Sequence, residues 1–296
     1  MSISFPGFAG VPLYGVIRFF YTQLMRESIA LRSGATAYSF FLSLFPALIF
    51  LFTLIPYFPI ENLYQEIVFL MNEYMPANVF QTIETTLSDI ILKKRGSLLS
   101  LGFILSIYFA SNGINTLLVA FNRKLKRPWW KKYLIAVSLT FAISFMILIA
   151  MSFQIGGEVF ISYFKDSMIF QGNWVVYFIW TFKLLITLFM SITAISLLYF
   201  FATVKEERFR FFSHGAYLAT ILVVLVSYGF GYYVENFAQY NRLYGSIGAI
   251  IVLLVWLYLS ALSLITGYEF NQSIVKAKAQ ADEKLSLLAD EEDEED

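Results

Sequence analysis

The chain has 296 residues, of which 58% are hydrophobic and 19% aromatic, and its 21 Lys and Arg balance 21 Asp and Glu. Only 14% of the residues are charged, against about 25% in soluble proteins, which indicates a membrane protein without a separate soluble catalytic domain. Cysteine is absent and His214 is the single histidine, which excludes disulfides, thiolate catalysis and metal sites built on Cys or paired His. The phosphate-binding motif GxxxxGK[ST] is absent too, so we expect no ATP hydrolysis, no metal and no other cofactor.

Residues 1–34 form a predicted cytoplasmic N-terminal segment. Ile17, Phe20 and Leu24 recur at helical spacing, with polar and charged residues on the other face, which predicts an amphipathic helix at the membrane interface. The segment has no short apolar stretch followed by a small-residue cleavage site, so we expect no cleaved signal peptide.

Six apolar runs follow, each long enough to cross a bilayer as a helix. A span needs about 20 apolar residues, because a helix rises about 1.5 Å per residue across about 30 Å of hydrocarbon. Backbone groups at that depth cannot bind water, so each run must be helical. The runs cover 35–58, 97–121, 133–155, 174–201, 213–237 and 246–270. They predict an all-α polytopic membrane protein whose membrane domain extends over 35–271.

The segment 60–95, between the first and second runs, is patterned like helix rather than loop. Apolar residues recur at helical spacing on both sides of Pro76, and Asn78 is suited to cap the second half. We predict two amphipathic helices at the outer interface, which either pack as a cap on the membrane domain or move as a gate.

The last segment, 272–296, is a predicted cytoplasmic tail. Nine of the 21 acidic residues lie between Asp282 and Asp296, and such a run cannot bury a core, so we predict disorder. The rest of the chain is basic, which suits contact with anionic lipid headgroups.

Basic residues mark the cytoplasmic side of a membrane protein. If the N-terminus is inside, the inner segments carry 15 Lys and Arg and the outer segments carry 5, while Lys183 lies within a span. This bias predicts that both termini are cytoplasmic.

Lys183 is the sharpest polar signal within the spans. It lies about nine residues into the fourth run, and Thr187 and Ser191 follow on the same helix face. A lysine at this depth costs several kcal/mol unless it is paired, hydrated or snorkelling. No acid lies at the same predicted depth, so we interpret this face as the wall of a polar cavity. The alternative is that Lys183 snorkels to the interface or binds backbone carbonyls.

Other polar residues within the spans extend this candidate pathway. Asn112 and Asn115 lie one turn apart in the second run, where they either line a cavity or stabilise a helix–helix contact. For Glu269 we favour a structural pairing with a nearby basic loop. The remaining candidates are Ser39, Ser43, Ser227 and Glu235.

Several segments, in order over roughly residues 15–275, resemble the YihY/BrkB family of bacterial inner-membrane proteins. They are AYSFFLSLFP at 37–46, ASNGINTLLVAFN at 110–122, YGS at 244–246, WLY at 256–258 and GYEFN at 267–271. Tyr108 stands where the family commonly has tryptophan. The resemblance implies six spans with both termini cytoplasmic, a link to serum resistance and the export of envelope lipids.

The family was formerly labelled ribonuclease BN, a label now regarded as mistaken. The sequence agrees, because it has one histidine, no acid cluster in a folded domain and no basic soluble face for RNA. We therefore expect neither enzymatic activity nor a nucleic-acid partner.

Three functions fit these observations. The favoured one is a transporter that moves or flips an anionic phospholipid or envelope lipid, with Lys183, Thr187 and Ser191 receiving the phosphate. The second is a transporter of small solutes or ions that uses the same residues in a closed aqueous pathway. The third is a scaffold without transport activity that recruits envelope partners through its loops and tail. The partners that we expect are anionic membrane lipids, with a second copy of the chain or an envelope protein as further candidates. A cavity that is open sideways to lipid would favour the lipid transporter, and a cavity that is open only to water would favour the solute transporter. A tightly packed bundle would favour the scaffold.

Overall fold

The computed structural model describes residues 13–26, 28–54, 57, 96–122, 127–164, 174–203, 211–236 and 241–295. Its helices are α1 (Leu13–Arg26), α2 (Ile29–Leu54), α3 (Gly96–Phe121), α4 (Trp129–Phe164), α5 (Trp174–Ala202), α6 (His214–Asn236) and α7 (Asn241–Glu295). No strand occurs within these ranges, which confirms the predicted all-α class. The amphipathic helices predicted over 60–95 lie outside the described residues.

Six of these helices, α2 to α7, are long and apolar enough to cross a membrane, which confirms the predicted number and order of spans. Large apolar side chains such as Leu134, Phe145 and Leu185 are more than half exposed on them. Such surfaces are unfavourable in water and are suited to lipid. Two helices extend beyond the apolar runs: α2 begins at Ile29, before residue 35, and α4 continues to Phe164, past residue 155.

The N-terminal helix α1 lies where a helix was predicted, and its apolar face packs on α7. Val16 is fully buried against Ala277, while Ile17 is 53% exposed. Phe20 and Phe270 meet edge to face, with ring centroids 5.4 Å apart. Contact with α7 therefore decides which side of α1 is covered.

The described residues fall into two compact units, one from Met1–Ala37 and Ile114–Asp296, the other from Tyr38–Gly113. In the second unit, α2 and α3 approach closely at glycines of α3. A Cβ on Gly102 would lie 3.2 Å from the backbone nitrogen of Phe50. In the first unit, the most deeply buried large side chains include Leu117, Tyr199, Ile265 and Tyr268.

The C-terminal tail continues α7 as far as Glu295, where the sequence analysis predicted disorder. The reason is local: 276–295 is rich in Ala, Lys, Glu and Leu, which favour helix, and the preceding span already supplies the helical nucleus. The start of this segment packs on α1 through Ala277, whereas the side chains of Asp282, Glu283 and Leu287 farther along are exposed.

Candidate functional site

Lys183 of α5 is buried against α4 and is paired there with an acid. Its ammonium forms an ion pair with Glu158, and its stem lies over Gly157, where a Cβ would come within 2.7 Å of Lys183 Cδ. The ammonium also lies 5.4 Å from the ring centroid of Trp180, in a cation–π arrangement. The sequence-based statement that no acid shares the depth of Lys183 is therefore wrong. It failed because the third apolar run ends at residue 155, whereas the helix continues and carries Glu158.

The two partners of this ion pair differ in exposure. The Lys183 side chain is 8% exposed and the Glu158 side chain is 60% exposed. The lysine stem is covered by α4, which leaves no room for a side chain at Gly157, while the carboxylate lies at the edge of the two helices. One partner is therefore covered by protein and the other is open to the surroundings.

A second polar contact lies one turn away. Gln154 Nε2 donates a hydrogen bond to Thr187 Oγ1 at 2.8 Å. Because Gln154 and Glu158 are four residues apart on α4, and Lys183 and Thr187 four apart on α5, the two contacts stack between antiparallel helices. We call these four residues the α4–α5 polar strip. Ser191 shares the face of Lys183, but its Oγ donates to the Thr187 carbonyl at 2.8 Å within its own helix.

The strip lies at membrane depth. Lys183 is about 14 Å along α5 from Trp174, and this 29-residue helix is about 43 Å long, so Lys183 is about 8 Å from the middle of the helix. A carboxylate exposed to hydrocarbon at such a depth is costly unless it is paired. The ion pair is therefore what makes an exposed Glu158 tolerable in a span.

The other predicted pathway residues lie elsewhere on the helices. Ser39, Ser43 and Asn112 are half-buried in the second unit, and Ser43 Oγ donates to the Phe40 carbonyl at 2.6 Å. Asn115 is half-buried in the first unit.

Two further candidates belong to α6. Ser227 Oγ accepts a hydrogen bond from Trp256 Nε1 at 3.4 Å, and so links α6 to α7. The side chain of Glu235 lies outside the described residues.

Glu269 belongs to a buried ion pair near the C-terminal end of α5, where the neighbouring Tyr268 hydroxyl donates to the Ala202 carbonyl. Arg32 Nη2 lies 2.7 Å from Glu269 Oε1, and Arg32 Nη1 donates to the Ala120 carbonyl at 2.5 Å. The two side chains are 5% and 3% exposed. The structure thus gives Glu269 a structural partner, Arg32 at the start of α2, from the segment that the sequence analysis placed before the first span.

Other buried amide and hydroxyl groups bind helix ends in the same unit. Together with the ion pair they form what we call the buried polar cluster: Arg32, Asn122, Ser213, Glu269 and Asn271. Asn271 Nδ2 donates to Ser213 Oγ at 2.7 Å, and Asn271 Oδ1 accepts from the backbone amide of Gly215 at 2.7 Å. Asn122 Nδ2 donates to the Ala202 carbonyl at 3.2 Å. These bonds satisfy the end of α5 and the start of α6, where backbone groups lack partners within their own helix.

Glycines allow the close approach on which the cluster depends. A Cβ on Gly215 would lie 2.0 Å from the Gly267 carbonyl oxygen, and one on Gly267 would lie 2.6 Å from Tyr199 Oη. Nearby, outside the spans, Arg127 Nη2 donates to the Phe201 carbonyl at 2.8 Å, and burial lowers the pKa of Arg127. The segment GYEFN therefore supplies both the contact glycine and two polar members of the cluster.

Three residues of these sites were not predicted from the sequence: Glu158, Gln154 and Arg32. The spacing of Gln154 and Glu158 matches that of Lys183 and Thr187, and this match was the available signal. Within the described ranges, no group of three or more His, Cys, Asp or Glu is placed to hold a metal ion.

Comparisons with known proteins extend over most of the chain. Residues 20–291 match the family described as Virulence factor BrkB, which confirms the resemblance seen in the motifs. A ribonuclease-like protein of Bacillus subtilis (strain 168), YfkH, is 34% identical over 260 residues, covering 85% of this chain and 92% of that protein.

Two UPF0761 membrane proteins are also similar, one from Xanthomonas campestris pv. campestris (strain B100) and one from Xanthomonas axonopodis pv. citri (strain 306). Each is 26% identical over 268 residues, covering 87% of this chain and 60% of the relative. The chain thus matches only part of these longer proteins. No solved structure matches it.

Proposed function

This chain belongs to the virulence factor BrkB family of membrane proteins, and on that premise we propose that it moves an anionic phospholipid or envelope lipid across the bacterial inner membrane. In this proposal the headgroup follows the α4–α5 polar strip while the acyl chains stay in the bilayer, and both termini are cytoplasmic. The observation that carries the proposal is the Lys183–Glu158 ion pair, which has one covered and one exposed partner at membrane depth.

A headgroup phosphate suits this ion pair because it can take the place of the Glu158 carboxylate. Lys183 needs a negative partner while it remains charged in the membrane, and Glu158 supplies one in the absence of lipid. An arriving phosphate supplies the same charge, and Glu158 can turn outward because its side chain is exposed. A lysine ammonium is a compact charge with rotatable donors, so an exchange of partners demands little geometric precision.

The neighbouring contact offers a second step along the same face. Gln154 has an amide donor and Thr187 a hydroxyl, and together they lie one helical turn from the ion pair. Phosphate oxygens accept hydrogen bonds from both kinds of group. The exposed side of Glu158 favours a route open to lipid over a closed aqueous pathway for small solutes. We propose no catalytic role, and the word ribonuclease belongs to the name of the Bacillus relative.

The test is downhill lipid movement in vesicles that contain the purified full-length chain. Fluorescent phosphatidylglycerol or fluorescent phosphatidylcholine is placed in both leaflets, and an impermeant reductant reports the label that reaches the outer leaflet. We expect the chain to move the anionic lipid faster than the zwitterionic one. Lys183→Met should slow this movement about tenfold, which corresponds to about 1.4 kcal/mol. Lys183→Arg should retain part of it, because the charge remains.

The matched control is Lys131→Met, which removes a positive charge from an exposed lysine at the start of α4. It should leave the rate within twofold of the unaltered chain. Because Lys183→Met leaves Glu158 without its ammonium, Lys183→Met/Glu158→Gln serves as a second variant without a lone carboxylate. Unchanged lipid movement in both folded Lys183 variants, or equal movement of the two lipids, would contradict the proposal.

A further inference from the structure

An apolar groove lies between α6 and α7, away from the residues to which the transport proposal assigns the headgroup. Its cavity has a volume of about 370 Å³. Four residues between Val226 and Tyr233 form the α6 wall, and five residues between Ile251 and Leu259 form the α7 wall. Both helices are long and apolar enough to cross a membrane, and the lining residues Ile251 and Val255 are 46% and 51% exposed, so the groove is open to the surrounding lipid.

The groove is long and narrow. The lining residues of α6 recur at positions i, i+3, i+4 and i+7. Those of α7 extend over nine residues, or eight helical steps, so the groove follows the helix axes for about 12 Å. A volume of 370 Å³ over that length gives a cross-section of roughly 30 Å². A groove of this length and width is suited to a single hydrocarbon chain, which the surrounding bilayer supplies.

The chemistry of the walls agrees with this size. Of the nine lining residues, Trp256 and Tyr233 carry a polar side-chain atom, and Trp256 Nε1 donates a hydrogen bond to Ser227 Oγ at 3.4 Å, so this donor needs no ligand. An apolar cavity of this kind does not hold water, whereas hydrocarbon gains contacts there. We propose that the groove binds one acyl chain of a membrane lipid, lying parallel to α6 and α7. This inference goes beyond the transport proposal and does not depend on Lys183.

Gly229 provides a way to fill the groove. It lines the cavity, and a Cβ placed on it would meet no atom within 4 Å. Gly231, two residues along the same helix, has equally open space but does not line the groove. A larger side chain is therefore tolerated at both positions but blocks the groove only at Gly229, which makes Gly231 the matched control.

The experiment uses Trp256 as a probe inside the groove. Trp129, Trp130, Trp174 and Trp180 are replaced by Phe, and this single-tryptophan chain is placed in vesicles of phosphatidylcholine whose acyl chains carry bromine, which quenches tryptophan fluorescence. We expect strong quenching relative to vesicles without bromine. Gly229→Leu should reduce the quenching at least twofold, Gly229→Ala should reduce it less, and Gly231→Leu should leave it unchanged.

The outcomes separate the possible occupants. Equal quenching with Gly229→Leu and Gly231→Leu would overturn the proposal, because Trp256 would then meet only lipid outside the groove. The proposal would also be overturned if quenching is weak in the single-tryptophan chain with Gly229 intact and this chain forms a cross-linked dimer that Gly229→Leu abolishes. The groove would then hold a side chain of a second copy.

A labelling experiment keeps the proposal testable if the fourfold Trp→Phe chain does not fold. The natural chain is irradiated with phosphatidylcholine that carries a diazirine in its acyl chain, and label is expected in the peptides that contain 226–233 and 251–259. Their absence among labelled peptides would contradict the proposal. Because phosphatidylcholine is zwitterionic and Lys183 is intact, both experiments can succeed even if the transport of anionic lipid is refuted.

Discussion

Two ion pairs among the described residues, Arg32–Glu269 and Lys183–Glu158, join spanning helices and differ in the environment of the carboxylate. Glu269 is 3% exposed and its partner Arg32 5%, so protein covers both charges. Glu158 is 60% exposed, although Lys183 is only 8% exposed. The Arg32–Glu269 pair therefore lies inside the protein, whereas the carboxylate of the Lys183–Glu158 pair is exposed on its surface.

The difference has a physical consequence for what each ion pair can do. Removing two charges from water is costly, and the cost is offset only by good geometry and further hydrogen bonds. The Arg32–Glu269 pair has them, because the planar guanidinium also donates to the Ala120 carbonyl and the surrounding cluster fixes the helix ends. The Lys183–Glu158 pair has a single compact ammonium and an exposed carboxylate, so its partner can be exchanged. We infer that the first pair stabilises the fold and that the second is available for ligand binding.

The largest effect is expected from breaking the buried pair. Arg32→Met leaves the Glu269 carboxylate buried without its guanidinium, and should lower the free energy of unfolding by about 3–5 kcal/mol. Unfolding in detergent, followed by circular dichroism, measures this change. Lys183→Met should cost less, because in detergent the exposed Glu158 carboxylate can reorient toward the micelle surface, whereas the buried Glu269 carboxylate cannot. Arg32→Met/Glu269→Leu should recover much of the loss, since replacing both charges by apolar groups is often neutral. Equal losses for Arg32→Met and Lys183→Met would remove the distinction between the two pairs.

A smaller but clear effect is expected from the glycine contact beside the buried cluster. A Cβ on Gly267 would lie 2.4 Å from the Gly215 carbonyl oxygen and 2.6 Å from Ala219 Cβ. Such overpacking costs about 1–3 kcal/mol, so Gly267→Ala should lower the melting temperature measurably. Gly231→Ala is the control, because its Cβ meets no atom within 4 Å and a helical glycine is about 1 kcal/mol less favourable than alanine. A neutral Gly267→Ala would show that α6 and α7 can separate at this end without cost.

The sequence predicted the six spans because hydrocarbon thickness imposes a minimum apolar length, which hydropathy detects without knowledge of packing. It predicted the helix ends less well. The first apolar run begins after Arg32 and the third ends before Glu158, yet both residues are helical, because each forms an ion pair with a residue of another helix. The hydropathy of a segment does not reveal which residue of another helix will pair with it.

The site was predictable only in part for the same reason. Lys183 and Thr187 were identified from their depth and shared face, and the structure does place both in one polar strip. Which face of α4 would meet them depends on tertiary packing, and Gly157 allows the close approach at that point. The predicted pathway residues Asn112, Ser39 and Ser43 lie in the other unit, and their role stays a prediction.

The smallest effect is expected from the neutral contact of the polar strip, and it decides whether the strip does more than hold two helices together. Gln154→Leu and Thr187→Val each remove one partner of the 2.8 Å hydrogen bond, and the double variant completes a mutant cycle. Hydrogen bonds between membrane helices couple by about 0.6 kcal/mol on average, so the interaction term in unfolding should be of that size. If the strip only joins α4 to α5, lipid movement should be unchanged in these stable variants.

If the strip guides a headgroup, each single variant should slow the movement of phosphatidylglycerol severalfold while the unfolding free energy changes by less than about 1 kcal/mol. Ser152→Ala is the matched control, because Ser152 is exposed on α4 and its hydroxyl donates to the Leu148 carbonyl within the same helix. It should alter neither quantity. A rate that falls only in proportion to lost stability would assign Gln154 and Thr187 to helix contact, and would leave Lys183 and Glu158 as the sole residues of the strip that act on lipid.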